Sequence, residues 1–519
     1  MTLRSKFPLI FTLLTLMLTM TAPVESAPAK KSTKRKSTTK KITITGKPPA
    51  PKPVVAITPV AIGATFEERL GSLVNSSVAA NSIASIQVIE LDTGRVVAQR
   101  NPDLAVAPAS NMKLFTTGAA LDLLTPKFEF MTTIAVRGNI DATGTLTGDV
   151  KITGRGDPTI GGRFHDGKAT AVLQGFASDL QRAGVKTVTG SLILEYGYFD
   201  TEFVHPTWPP DQLTNWYEAP IAALSMQEGT VMVRVLPGLP GGQAVVRMEP
   251  PNGYMMLLNS AVTARGRGIF IGRKPGTNQI VVRGGVPARS GATEVYVTVP
   301  NPLHYFANVA HNTFSTSGIN FRGGVRLAEE DTQAGWRTIS THKTPLTVVT
   351  YVINKVSQNH YAEQLVKTLG AEVKKEGSWS NGAIVVQDWM YNKVGVPTAE
   401  FRMTDGSGMS RFNQASASAF TELLRYMWRT PYRREFVSSM PYTGEPESRL
   451  RRRLNQPPYA RQVYAKTGYI SGVIGLSGYV HAQSGKIYAF SFLFNRYRTG
   501  VWGVYRLQDE MLKEIIRSG

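Results

Sequence analysis

The sequence predicts a mixed α/β protein in which an antiparallel sheet carries helices on its faces and a large β-rich insertion interrupts the domain. Three observations support this class. Strand-like and helical segments alternate near both ends of the chain, a strand meander followed by a helix closes it, and a Gly-punctuated stretch of short strands separates the two halves. A length of 519 residues also exceeds what one hydrophobic core usually fills.

The N-terminal region has the composition of an export signal followed by a linker. Arg4 and Lys6 precede an apolar run over residues 7–20, and small residues follow it. This run is shorter than the about 20 residues that span a bilayer. We therefore expect a cleaved signal peptide over residues 1–26 and a periplasmic or other extracytoplasmic protein, with an uncleaved membrane anchor as the alternative. Residues 27–59 predict a basic linker rich in Pro, Ser and Thr.

Positive charge is concentrated in the same region. The chain carries a formal charge of +21, and residues 1–58 hold eleven Lys or Arg against one acidic residue. A solvated tether explains this run, and weak contact with an anionic wall or membrane surface stays open as the alternative. Nothing downstream resembles a module that reads a nucleic-acid groove, so no nucleic acid is expected as a partner.

The folded part is expected to begin near residue 60. Its first section, residues 60–132, contains predicted helices at 67–81 and 110–124 with a hairpin between them, whose strands cover 85–91 and 96–98. Residues 133–300 are expected to form the inserted β-rich part, with one helix at 169–183. In the last section, residues 301–519, helices are predicted at 302–314, 345–355, 361–375 and 416–429. The meander follows at 463–469, 473–480 and 487–494, with a final helix at 504–517.

Three short motifs carry the candidate chemistry. Ser110 and Lys113 stand one helical turn apart, so a buried, neutral amine could take the proton of the hydroxyl. Ser357-Gln358-Asn359 lies between two helical segments, and Lys466-Thr467-Gly468 lies in an apolar strand whose glycine would let a ligand approach. Each motif alone is weak. Their joint order is the one found in class A β-lactamases and penicillin-binding proteins, with Gln358 in place of the usual central Asp.

With these motifs the chain resembles the class C low-molecular-mass penicillin-binding proteins, the D-alanyl-D-alanine carboxypeptidase/endopeptidase family. The resemblance runs from about residue 60 to the C-terminus and implies a penicillin-recognising, serine transpeptidase-like domain. Further matching stretches are Pro108-Ala109-Ser110, Gly156-Asp157-Pro158-Thr159, residues 357–363, Asp405-Gly406-Ser407-Gly408-Met409-Ser410-Arg411 and Gly472-Val473.

The resemblance implies the roles of the catalytic residues. Ser110 would be the acylated nucleophile, Lys113 its base, and Ser357 the group that passes a proton to the leaving D-alanine. The backbone N–H groups of Ser110 and Tyr469 would form the oxyanion hole, whose donors are typically worth about 3 kcal/mol each.

The resemblance also implies how the substrate is held. Asn359 would bind the substrate amide, Lys466 would supply positive charge, and Thr467, which precedes Gly468, would bind the terminal carboxylate. A pocket for the donor side chain would be lined by Arg411, Asp211 and Tyr217.

The expected activity is that of a serine DD-peptidase. It would hydrolyse D-Ala–D-X bonds of peptidoglycan stem peptides, as a carboxypeptidase, an endopeptidase or both, through an acyl-enzyme on Ser110, and penicillins would inhibit it. Two alternatives stay open: a β-lactamase or D-amino-acid esterase on the same scaffold, and a catalytically silent peptidoglycan-binding protein. Absence of cysteine excludes thiol catalysis and Cys-ligated metals, and no His-Glu-x-x-His occurs. We expect no cofactor and no metal.

Overall fold

The computed structural model describes residues 63–264 and 268–519. The expected signal peptide and basic linker lie outside these residues. Within them, no helix combines the length and apolar composition needed to cross a membrane. The helices are α1 (Phe66–Val74), α2 (Ser77–Ala80), α3 (Lys113–Leu123), α4 (Ala171–Arg182), α5 (Pro302–Thr316), α6 (Leu346–Lys355), α7 (Asn359–Leu369), α8 (Trp379–Trp389), α9 (Ala417–Arg429), α10 (Arg433–Ser439) and α11 (Val501–Ser518).

The strands of the described residues form several separate sheets. They are β1 (Ile83–Glu90), β2 (Val96–Arg100), β3 (Glu129–Ile140), β4 (Thr145–Gly154), β5 (Thr187–Val188), β6 (Leu192–Glu195), β7 (Thr230–Leu236), β8 (Val245–Glu249), β9 (Met256–Thr263), β10 (Ile269–Arg273), β11 (Gln279–Val286), β12 (Thr293–Thr298), β13 (Asn320–Phe321), β14 (Val325–Ala328), β15 (Arg337–Pro345), β16 (Phe401–Arg402), β17 (Gln414–Ala415), β18 (Val463–Ile470), β19 (Val473–His481) and β20 (Ile487–Asn495).

The main sheet joins the two ends of the described chain. Its order is β18-β19-β20-β1-β2, and every neighbouring pair is antiparallel. Both faces are apolar because helices cover both: α1 and α11 pack on one face, while α9 packs on the other. Burial on both faces explains why β19 and β20 consist almost wholly of buried residues rather than an alternating pattern. The predicted hairpin, meander and final helix are confirmed.

A helical core lies behind the face of the sheet that α9 covers. At its centre is α3, whose residues from Lys113 to Leu121 are all buried among α6, α7, α8 and α9. The sequence predicted one helix over 110–124, whereas the structure has a short 3₁₀ turn, Ala109–Met112, followed by α3. Ser110 therefore stands on the turn, and Lys113 opens the α-helix.

The insertion has its own core and three sheets. The largest is seven-stranded, with order β13-β5-β4-β3-β15 and with β6 joining β4 and β14; the others are β12-β7-β8 and β10-β11-β9. Its last strand, β15, pairs with its first long strand, β3, and α5 is buried in the same core. The sheet thus extends past residue 300, where the sequence placed its end. We propose 129–345 as the bounds of the insertion.

Candidate active site

The candidate nucleophile stands on a turn that two glycines allow other segments to approach. Ser110 is half-buried, and Ala109 before it has a φ of +48°. A Cβ at Gly408, whose φ is +83°, would come within 1.9 Å of the Ala109 carbonyl oxygen. A Cβ at Gly468 would come within 2.6 Å of the Pro108 oxygen. Only glycine at both positions lets the 404–410 loop and β18 lie against this turn.

The Lys113 amine has three oxygen neighbours. Its Nζ lies 2.7 Å from Asn359 Oδ1, 2.7 Å from the Ser407 carbonyl oxygen and 3.3 Å from Ser110 Oγ. The amide and carbonyl oxygens can only accept, and a neutral amine has two N–H groups and one lone pair. Donation to those two acceptors therefore turns the lone pair toward the Ser110 hydroxyl, which is the orientation that a base for this serine needs.

The protonation state of Lys113 fits the same role. Burial lowers the pKa of this fully buried lysine to about 7, while the carboxylates of Glu363 and Asp405 act in the opposite direction. A group with such a pKa is divided between its charged and neutral forms near neutral pH. A general base works best under this condition.

A second lysine–serine pair belongs to the other two motifs. Lys466 Nζ donates to Ser357 Oγ at 2.8 Å and to the Thr467 carbonyl oxygen at 2.8 Å. Ser357 has a φ of +61°, a strained backbone of the kind often found at functional sites. Burial holds the pKa of Lys466 well below its ordinary value, and the positive charges of Lys113 and Arg449 lower it further by smaller amounts. The structure thus brings all three motifs together.

Asn359 connects Lys113 to the insertion. It is the first residue of α7, its Oδ1 accepts from Lys113, and its Nδ2 donates to the Tyr217 carbonyl oxygen at 2.8 Å. An amide oxygen can accept twice and an amide nitrogen can donate twice, so each atom keeps one position for a substrate. Its neighbour Gln358 donates to Glu228, which also pairs with Arg163 at 2.5 Å. The middle motif is therefore fixed from the insertion side.

The third motif forms an edge of the main sheet. β18 pairs only with β19 in its sheet, with Thr467 half-buried and Tyr469 55% exposed. An edge strand offers free backbone N–H and C=O groups to an extended peptide. The structure thus places Gly468 and Tyr469 where a peptide substrate could lie.

The residues predicted for a side-chain pocket are not connected by contacts in the way that the three motifs are. Arg411 is exposed and donates to the Ser471 carbonyl oxygen at 2.9 Å, and Asp211 is also exposed. Among the described residues, the Arg411 guanidinium is thus directed to a backbone carbonyl and not to Asp211. Burial, then the nearby Glu218 and Asp211, raises the pKa of Tyr217. The pocket remains a prediction.

Several buried carboxyl groups near the site were not predicted from sequence. Glu363 and Asp405 are fully buried behind Lys113, and Glu218 is fully buried next to Tyr217. Neither carboxyl oxygen of Glu218 has a hydrogen-bond partner among the described residues, and burial raises its pKa to about 8. Glu363 and Asp405 lie in stretches that already carried the resemblance, which is the one sequence signal that pointed to them.

No group of three or more His, Asp or Glu side chains in the described part of the chain could hold a metal ion. The chemistry that the site offers is that of hydroxyls, amines and buried carboxyls.

Comparison with known proteins gives one consistent family. The profile of the D-Ala-D-Ala carboxypeptidase 3 (S13) family matches residues 68–502. The chain is 31% identical to a D-alanyl-D-alanine carboxypeptidase of Actinomadura sp. strain R39, over 83% of this chain and 81% of that protein. It is 24% identical to a D-alanyl-D-alanine carboxypeptidase of Haemophilus influenzae, over 79% of this chain and 85% of that one.

A solved structure shows the same fold. The crystal structure of penicillin binding protein 4 from Haemophilus influenzae superposes with a TM-score of 0.74 at 22% identity, covering 86% of this chain and 99% of the other. A second crystal structure of that protein, complexed with a β-lactam, superposes with a TM-score of 0.71 at 21% identity, covering 86% of this chain and 99% of that one.

Proposed function

The chain belongs to the D-Ala-D-Ala carboxypeptidase 3 (S13) family, and we propose that it hydrolyses D-Ala–D-X bonds of peptidoglycan stem peptides through an acyl-enzyme on Ser110. It is a serine-type D-alanyl-D-alanine carboxypeptidase. The observation that carries the assignment of Ser110 is the amine beside it: Lys113 is buried, and its two acceptor contacts turn its lone pair toward Ser110 Oγ, 3.3 Å away.

Acylation begins when Lys113 takes the Ser110 proton. The freed Oγ attacks the carbonyl carbon of the D-Ala residue, and the backbone N–H groups of Ser110 and Tyr469 bind the oxyanion that forms. The C–N bond then breaks. Ser357 gives its proton to the leaving nitrogen and regains one across its 2.8 Å contact with Lys466. The proton that Lys113 took from Ser110 passes to Lys466, which restores both amines. Water then attacks the ester: its OH joins the acyl carbon, and its other proton passes through Lys113 to Ser110 Oγ as the ester bond breaks.

The substrate lies along the edge of β18 in this proposal. Its backbone pairs with the strand, Asn359 binds its amide, and Thr467 binds its terminal carboxylate. Gly468 leaves room for the peptide backbone at this edge. The side chain of the third stem residue points toward Asp211, Tyr217 and Arg411. A β-lactam enters the same cleft and acylates the same serine.

Labelling with a fluorescent penicillin tests the assignment. The wild-type protein should bind label covalently, and Ser110→Ala should lose it while keeping its thermal unfolding temperature, because only the attacking oxygen is removed. Label that survives in the variant, or that maps to Ser407, contradicts the assignment. Turnover of a D-Ala–D-Ala peptide with slow release of penicillin separates this activity from that of a β-lactamase.

Cross-linked peptidoglycan lies outside the cytoplasmic membrane, so we place the mature protein there, exported by the segment over residues 1–26. The basic linker, residues 27–59, then adds weak attraction to the anionic wall or membrane surface. Deleting residues 30–58 should leave turnover of a soluble peptide within about twofold but weaken retention on wall preparations at low salt, where exposed charges are least screened. Lost turnover of the soluble peptide contradicts this role.

A further inference from the structure

We propose that Glu363 is a positioning residue, which holds the 404–410 loop so that the Ser407 carbonyl fixes the orientation of the Lys113 amine. The proposal rests on the proposed function of Lys113 as the base for Ser110. It gives a role in the reaction to a buried carboxyl group that touches neither the nucleophile nor the substrate edge.

Glu363 binds the loop through both of its oxygens. Oε1 accepts from the Ser407 backbone N–H at 2.7 Å, and Oε2 accepts from the Gly406 N–H at 2.9 Å and from Trp379 Nε1 at 2.8 Å. The residue is fully buried. Hydrogen bonds to a carboxylate are short and strong, so the peptide units on both sides of Gly406 are held in place.

One face of α7 contacts Lys113 directly through one residue and indirectly through another. Asn359 and Glu363 are four residues apart on α7 and therefore lie on one face, one turn apart. Asn359 binds Lys113 Nζ directly, whereas Glu363 acts through Ser407, whose N–H it accepts and whose carbonyl oxygen accepts from Lys113 at 2.7 Å.

This second contact decides where the lone pair points. If the Ser407 carbonyl moved, one N–H of the neutral amine would lose its acceptor, and the amine could rotate so that an N–H faced Ser110 Oγ. A single misdirected contact in a catalytic group can cost one to two orders of magnitude in rate. A second tether supports the loop from α3, where Thr116 Oγ1 donates to the Gly406 carbonyl oxygen at 2.8 Å.

The charge of Glu363 has an effect separate from that of its side-chain length. Burial, then the like charge of Asp405, raises the pKa of Glu363 to about 7. The charged groups that face it are Lys113 on α3, Asp405 on the loop and Lys367 on α7 itself. Since the carboxylate acts to raise the pKa of Lys113, removing its charge should make Lys113 lose its proton at lower pH.

Two variants separate these effects. Glu363→Asp keeps the charge but is one methylene too short to reach both loop N–H groups. Glu363→Gln keeps the length and loses the charge, but its amide nitrogen cannot accept, so only its single oxygen still binds the loop N–H groups. The measurement is the rate of acylation by a penicillin from pH 5 to 10, together with the thermal unfolding temperature of each variant.

We expect Glu363→Asp to acylate about 10- to 100-fold more slowly, with the acidic limb of its pH profile where the wild type has it. In Glu363→Gln the acidic limb should move to lower pH by about 0.5 to 1 unit. Glu400→Gln is the matched control. Glu400 is also buried and accepts from Ser416 Oγ at 2.6 Å. It is not among the carboxylates that shift the pKa of Lys113, which are Glu363 and Asp405. The acidic limb of the Glu400→Gln pH profile should stay at its wild-type position.

The proposal is overturned if the folded Glu363 variants acylate at the wild-type rate with an unmoved acidic limb. If neither variant folds, Trp379→Phe, which removes one donor from Oε2, should still slow acylation, and an unchanged rate overturns the proposal. A wild-type protein that no penicillin labels would contradict the proposed function itself. Failure of the positioning role alone would leave wild-type labelling intact.

Discussion

Among single residues, the two lysines of the site are distinguished by what their amines contact. Lys113 has two oxygen acceptors besides its serine, whereas Lys466 donates to Ser357 and to a backbone carbonyl. Both are buried, so both are easier to deprotonate than an exposed lysine. Only Lys113 has two further oxygen acceptors that turn its lone pair toward a serine hydroxyl, and this difference supports its proposed role as base.

If Lys113 is the base for Ser110, its pKa should set the pH dependence of acylation. Because the pKa is lowered to about 7, the neutral form gains as pH rises through 7. The acylation rate should therefore rise about tenfold per pH unit below 7 and level off above it. Lys113→Arg, which stays protonated, should acylate about 10²- to 10⁴-fold more slowly at pH 8. Penicillin acylation followed by stopped flow from pH 5 to 9 measures both, and a flat wild-type profile contradicts the assignment.

The side-chain pocket leads to a prediction on substrate choice. If Asp211 holds the amine and Arg411 the carboxylate of a third stem residue such as meso-diaminopimelate, Asp211→Ala should lower kcat/KM for that peptide about tenfold. This is the low end for a charged hydrogen bond, because Asp211 is exposed and its charge is screened.

Penicillin acylation should change little in the same variant, since a simple penicillin lacks that side chain. Asp211→Asn serves as the shape control. Equal losses for peptide and penicillin would mean that Asp211 supports the fold, and the pocket assignment would be withdrawn.

The single-residue contacts show where sequence reasoning reaches its limit. The distance from Ser110 to Lys113 follows from helical spacing, because the 3₁₀ turn runs directly into α3 and the two residues are three apart. The contact of Lys113 with Ser407 joins residues 294 positions apart, and no local pattern contains it. The three motifs could be brought together only through the resemblance, and Glu363 acquires a role only when the tertiary contacts are known.

At the level of elements, strands and helices with a strong period were predicted well, and those that tertiary packing determines were not. The meander, the hairpin and α9 are confirmed within two residues at each end. The helix predicted at 67–81 is divided at Asn75 into α1 and α2. α8 was missed because Gly377, Ser378 and Gly382 interrupt its helical pattern, although its N-cap Ser378 accepts from the Asn381 N–H. α10 was also missed, because a helix of only seven residues is too short to show a clear period.

The first turn of α7 should make the protein sensitive to acid. His360 is buried, its Nε2 lies 3.1 Å from Ser225 Oγ, and burial lowers its pKa to about 4. The unfolded chain binds a proton at His360 near pH 6.5, and the folded protein does so only near pH 4. The unfolded state therefore holds more protons between these values, and the contribution of His360 to the free energy of unfolding is lost as pH falls from about 6.5 to about 4.

The size of this loss is on the order of 3 kcal/mol, at 1.36 kcal/mol per pKa unit. Urea unfolding at pH 7.5 and 4.5 measures it. His360→Gln does not titrate and places an amide nitrogen near the position of Nε2, so its free energy of unfolding should depend less on pH over this range. An equal pH dependence in variant and wild type would contradict the assignment.

Considered as a whole, the molecule holds its candidate catalytic groups between the main domain and the insertion. An insertion was predicted from the run of short strands, but its C-terminal limit was placed at 300 because α5 looked like the return of the main domain. The pairing of β15 with β3 could not be foreseen, since it joins strands about 200 residues apart. The insertion then reaches the site through Tyr217, which accepts from Asn359, and through Glu228, which accepts from Gln358.

The insertion also binds the 404–410 loop. Trp208 Nε1 donates to Asp405 Oδ2 at 2.8 Å, Thr207 Oγ1 donates to Ser410 Oγ at 2.7 Å, and His205 Nε2 lies 3.1 Å from the Thr404 carbonyl oxygen. Asp405 in turn accepts from two backbone N–H groups of its own loop, at Gly408 and Ser410, and from Asn413 Nδ2 just beyond it. An insertion that only formed a wall for large substrates would have no need of these contacts, because they lie behind Lys113 rather than along the substrate edge.

Substitutions in the insertion should therefore affect acylation by a small penicillin as much as acylation by a peptide. Trp208→Phe removes one charged hydrogen bond from Asp405 and should slow acylation by both substrates about tenfold, through kcat rather than KM. Trp336→Phe is the matched control, since Trp336 lies elsewhere in the insertion, over Arg137 and Lys151, and should leave both rates within twofold. If Trp208→Phe slowed only the peptide reaction, the insertion would act as a substrate wall alone. Equal loss for both substrates would show that it helps to hold the loop on which the nucleophile's base depends.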